Sequence, residues 1–78
     1  MFNLFKKPPT GTTITLKLSG LHCSSCSMNI DGELEDTLGV ISSTTSYAKQ
    51  ESVITYDPKL AKPAVFISAI EKLGYKVL

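Results

Sequence analysis

The chain has 78 residues, 42% of them hydrophobic and 19% charged, and a net charge of +1 from 8 lysines, no arginine and 7 acids. That length holds one small core rather than two domains, and the composition is too apolar and too weakly charged for a disordered chain. Near-neutrality without arginine argues against a dedicated nucleic-acid binder, and 2 Cys with 1 His leave nothing for a disulfide scaffold or a four-ligand zinc ribbon.

Residues 1–11 read as a lead-in. Pro8-Pro9-Thr10-Gly11 suits neither a helix nor a strand interior. Phe2, Leu4 and Phe5 precede Lys6 and Lys7, the reverse of a secretory signal, and no stretch reaches the ~18 apolar residues of a membrane span. The expected compartment is therefore the cytoplasm, where a close cysteine pair binds metal or does redox chemistry more often than it serves structure.

From Thr12 to Ser19, Ile14, Leu16 and Leu18 alternate with polar residues, which predicts a half-buried strand ended by Gly20. A helix is expected to begin close to Cys26, with Cys26, Ile30, Leu34 and Leu38 on its apolar face and Gly39 as its stop. Val40 to Tyr47 is rich in β-formers, Ala48-Lys49-Gln50 reads as a turn, and Glu51 to Tyr56 reads as the next strand, so the two form a hairpin. The inner row of the first, Ser43, Thr45 and Tyr47, is polar, which predicts a loosely packed or edge strand. Pro63 suits the first turn of a second helix, buried through Val65, Phe66, Ala69, Ile70 and Leu73. Gly74 ends it, and Tyr75 to Leu78 form a last short strand. The order β-α-β-β-α-β predicts an α+β, ferredoxin-like fold over residues 12–78, a four-stranded antiparallel sheet with two helices on one face.

All the cysteine of the chain lies in Cys23-Ser24-Ser25-Cys26, between a strand end and a helix start. Free amide N–H groups and the positive end of a helix favour thiolate over thiol. The spacing lets one sulfur sit in the loop and the other in the first helical turn, facing one ion. Two soft donors, with His22 as a candidate third and no nearer carboxylate than Asp31, suit Cu(I) better than Zn(II). Thiol–disulfide exchange also fits this pair taken alone.

Gly20-Leu21-His22-Cys23-Ser24-Ser25-Cys26 resembles the Gly-Met-x-Cys-x-x-Cys motif of the heavy-metal-associated domain family. Leu38-Gly39-Val40, Val53-Ile54-Thr55-Tyr56-Asp57-Pro58 and Ala69-Ile70-Glu71-Lys72-Leu73-Gly74-Tyr75 resemble later stretches of that family in the same order. The family comprises copper chaperones and the soluble metal-binding domains of heavy-metal P-type ATPases. The resemblance implies a non-enzymatic protein that holds Cu(I) on Cys23 and Cys26 and passes it to a copper-transporting ATPase by ligand exchange. Ag(I), Hg(II) and Zn(II) are alternative cargoes, and a metal-bridged homodimer is an alternative partnership. Leu21 replaces the family's methionine, an apolar residue of similar volume. Tyr75 falls where a side chain usually packs near the site.

Other readings stand beside this one. The chain also fits the regulatory N-terminal domain of such an ATPase, and a dithiol redox module is the alternative of a different class. The four prolines do not supply the cis-Pro loop expected of a thioredoxin-like protein. RNA binding through the sheet would need aromatic residues that the first strand lacks. His22 reads as an exposed loop residue or an extra ligand. Asp31, Glu33, Glu35 and Asp36 cluster on the first helix, either as a solvated face or as an acidic docking face with Glu33 and Glu35 at its centre.

Overall fold

A computed structural model describes residues 11–78; the expected lead-in, apart from Gly11, lies outside the described residues. The elements are β1 (Thr12–Ser19), α1 (Ser24–Glu35), β2 (Val40–Ser46), β3 (Glu51–Tyr56), α2 (Pro63–Lys72) and β4 (Lys76–Val77). The strands form one antiparallel sheet in the order β2-β3-β1-β4. Alternation sets the register. Ile14 sits opposite Ile54 and Leu16 opposite Ser52, so the inward rows of β1 and β3 coincide. Leu18, Ile54 and Tyr56 from the sheet pack with Ile30 and Leu34 of α1 and Phe66 and Ile70 of α2 in a single cluster. Both helices therefore cover the same face, as expected of the ferredoxin-like fold. The Phe66 ring meets Tyr56 edge-on, with centroids 4.9 Å apart.

Several local expectations are corrected. Leu38 does not continue the apolar face of α1: the helix ends at Glu35, and Leu38 lies beyond it, 74% exposed. The termination is local. The Thr37 hydroxyl donates to the Glu33 carbonyl at 3.0 Å, and the Thr37 N–H donates to the Leu34 carbonyl at 2.9 Å. Gly39 then turns the chain at φ +93°, pressed so close to Leu60 and Ala61 that an added Cβ would lie 2.9 Å from each of their Cβ atoms. The buried stripe of α2 is narrower than expected. Phe66 and Ile70 are fully buried and Ala69 packs against the core cluster, whereas Val65 and Leu73 are 47% and 38% exposed. β4 is also shorter than expected, pairing only Val77 with Leu18 and Lys76 with Ser19.

The polar inner row of β2 has a specific partner. β2 is an edge strand, as expected, but Ser43 and Thr45 are buried and bonded while Tyr47 lies past its end, exposed. Ser43 Oγ and Thr45 Oγ1 each donate to Asp31 Oδ1 at 2.7 Å, and the Thr45 N–H donates to Asp31 Oδ2 at 3.1 Å. The single Thr45 hydroxyl proton is thus committed, so the Ser52 hydroxyl donates to Thr45 Oγ1 at 2.6 Å. One helix carboxylate accordingly replaces apolar packing between α1 and β2, and Asp31 leaves the acidic surface that sequence assigned to it.

Candidate metal centre

The centre is built where β1 hands over to α1. Gly20, at φ +101°, turns the chain off the end of β1 in a conformation that disfavours other residues. Leu21 then drops into the core, 5% exposed. His22 and Cys23 emerge into solvent. Cys23 is the N-cap of α1, with extended backbone at φ −160° and ψ 171°, and its side chain makes no capping hydrogen bond. Cys26 is in the first turn, half-buried against the core, and its N–H donates to the Cys23 carbonyl at 3.1 Å. The two sulfurs lie 3.6 Å apart, as free thiols.

This placement acidifies Cys26, whose thiol is lowered from 9.0 to about 7. Hydrogen bonding from the Tyr75 hydroxyl is the largest cause. The backbone at His22 and the Cys23 side chain add to it, and desolvation opposes it. Reciprocally, Cys26 holds the phenol proton on Tyr75 and raises its pKa. Tyr75 is thus brought to the centre from the far end of the chain, just ahead of β4.

His22 is exposed beside Cys23, and among the described residues no three His, Cys, Asp or Glu side chains gather around one point. The centre therefore offers two sulfurs and an open side. Glu33 and Glu35 are exposed on α1. Glu33 borders a groove between the helices, together with Thr37, Val65 and Lys72.

Sequence reasoning missed Gln50, which it read only as a turn residue. Its carboxamide accepts from the Leu21 N–H at 3.2 Å and donates to the Leu21 carbonyl at 2.7 Å. No local pattern announces this contact, because it spans 29 positions and depends on the hairpin reaching the β1–α1 loop.

The two-thiol loop on this fold agrees with comparison to known proteins. The profile of the heavy-metal-associated domain matches residues 15–76, and the chain belongs to that family of small, generally non-enzymatic metal-binding modules. It is 36% identical to the Homo sapiens copper-transporting ATPase 2 over 61 residues, 78% of this chain and 4% of that protein. It is 38% identical to the Serratia marcescens mercuric reductase over 63 residues, 81% of this chain and 14% of that protein. The chain thus spans a small part of the curated relatives it matches. Its fold superposes on the CopZ metallochaperone with a TM-score of 0.84 at 24% identity, covering 86% of this chain and all of that one. Among the described residues, no helix is long and apolar enough to cross a membrane.

Proposed function

We propose that this protein carries Cu(I) as cargo on Cys23 and Cys26 in the cytoplasm and delivers it to a copper-transporting P-type ATPase. The observation that carries this reading is the ligand set: two thiols 3.6 Å apart in an exposed loop, one of them acidified to about 7. Soft sulfur donors select Cu(I) over harder ions, and Ag(I) or Hg(II) would compete for the same donors. A four-ligand tetrahedral site closes around its ion, whereas two ligands leave a side for attack. A partner thiolate binds the ion first, one of the two cysteines then leaves, and the second follows. Thiolates are exchanged on the metal with no change of oxidation state. Leu21 and Tyr75 support the loop, His22 stands exposed beside it, and Glu33 and Glu35 offer acidic contacts to a basic partner surface.

A second reading draws on the small share of the ATPase relatives that the chain spans. It makes the chain the N-terminal regulatory domain of such an ATPase, with the same centre.

Anaerobic titration with Cu(I) and Zn(II) against competing chelators tests the cargo. Wild type should take up Cu(I) in preference to Zn(II), and the Cys23→Ser/Cys26→Ser variant should lose Cu(I) uptake. Equal uptake by the two would overturn the proposal, and disulfide turnover with a measurable dithiol potential would put a redox module in its place. The same titration followed by gel filtration reports whether Cu(I) bridges two copies.

A further inference from the structure

We infer that Gln50 is a positioning residue for the metal loop, a carboxamide clamp that holds Cys23 in place and slows release of the cargo. The inference rests on the metal reading above. Its observations join the turn of the β2–β3 hairpin to Leu21, 29 positions away in the chain.

The two sulfurs are anchored differently. Cys26 is part of the first turn of α1, a regular helix whose Ile30 and Leu34 are fully buried. Cys23 precedes the helix and depends on the loop of residues 20–22 for its position. Within that loop, Leu21 is the fixed point. Its side chain is in the core, and both of its backbone polar groups are bonded to one side chain, the Gln50 carboxamide. A primary amide presents a donor and an acceptor side by side, as a neighbouring strand would. Gln50 thus prolongs the β1–β3 ladder past its last backbone pair. The ladder runs to Lys17 opposite Glu51, the Leu18 N–H then donates to the Gln50 carbonyl at 2.8 Å, and the Gln50 side chain takes over at Leu21. The same Nε2 also donates to the Tyr47 carbonyl, which braces the carboxamide against its own turn.

The backbone at Gln50 supports a dedicated role. It sits at φ +54°, the sole positive φ outside glycine among the described residues. Glycine and asparagine suit that conformation best. Glycine has no side chain, and asparagine is one methylene too short to make the same bonds. The chain therefore keeps a disfavoured backbone at the one turn position from which a long amide reaches the metal loop.

The prediction separates clamp from fold. In Gln50→Gly the strained φ is relieved while the clamp is lost, so the unfolding midpoint should hold or rise. In Gln50→Met the side-chain length is kept and both bonds are lost. For each variant, exchange of the Leu21 amide in the metal-free protein should accelerate by roughly tenfold, the loss of about one net hydrogen bond. Release of Cu(I) to a competing chelator should quicken by a similar factor, about tenfold. Gln50→Asn should behave like Gln50→Met. Unchanged Leu21 exchange in Gln50→Gly and Gln50→Met would overturn the clamp. Faster exchange with unchanged Cu(I) release would overturn its role in holding the cargo. If wild type takes up no Cu(I), the proposed function falls and the link to cargo release falls with it, while Leu21 exchange still decides whether the clamp exists.

Discussion

The start and the middle of α1 treat polar side chains in opposite ways. Midway along the helix, Asp31 collects three hydrogen bonds from β2 and is joined to β3 through Thr45 and Ser52. At its start, Cys23 occupies a capping position without capping, and the two sulfurs lie 3.6 Å apart as free thiols, with the Tyr75 hydroxyl and the His22 backbone acting on Cys26. The first region uses its donors and acceptors to join layers. The second leaves its thiols uncommitted and relies on neighbours such as Leu21 for rigidity. Stability and reactivity are thus assigned to different stretches of one 12-residue helix.

The largest expected effect lies in the bonded region. Asp31→Ala leaves the Ser43 and Thr45 donors without their acceptor and should destabilise the fold by about 2–4 kcal/mol in denaturant unfolding. Cu(I) affinity of the folded fraction should be unchanged. A large loss of affinity in that variant would break the division between the two regions.

A smaller effect concerns the open region. Tyr75→Phe removes the hydroxyl that does most to acidify Cys26, so the midpoint of its alkylation by iodoacetamide should move upward from about pH 7. Because the folded thiol lies below its ordinary 9.0, the stability it lends is present above pH 9 and is lost as pH falls through about 7. Metal uptake should weaken over the same descent, since protons then compete for the sulfur. An unmoved alkylation profile in Tyr75→Phe would show that the His22 backbone and the Cys23 side chain, rather than Tyr75, acidify the thiol.

The smallest effect sits between the regions. Ser27 is buried beside Cys26, and its hydroxyl has no hydrogen-bond partner among the described residues. Ser27→Ala removes that unpaired group and favours helix, and should stabilise the protein by ~1 kcal/mol in thermal or denaturant unfolding. A destabilised Ser27→Ala would mean that the hydroxyl is engaged, and the contrast between the two regions would lose one of its boundaries.

The sequence announced what local patterning controls. The alternation in β1 and β3 and the residues bounding them are found where expected, and so is the order of all six elements. The thiol loop was legible because its residues are contiguous. Leu38 was misplaced because a four-residue period cannot register that Thr37 folds back on the Glu33 carbonyl and ends the helix. The polar row of β2 was recognised, but its partner was hidden, since Asp31 also fits a solvated acidic face. Val65 and Leu73 are apolar at helical spacing, yet only Phe66, Ile70 and Ala69 of α2 join the core cluster, and Leu73 falls at the C-cap past the last helical residue. Gln50 was invisible because its contact is made across the fold.

The bare cap at Cys23 also bears on how such a chain drifts. At the first position of a helix, folding favours serine, aspartate or asparagine, whose oxygen satisfies an amide that cysteine leaves free. On the metal reading proposed above, mutation to serine here would be rewarded by the fold and opposed by selection for the cargo. A lineage released from handling metal would therefore surrender this cysteine early, and a serine at position 23 above an otherwise intact domain would mark a descendant that has kept the shape and lost the trade.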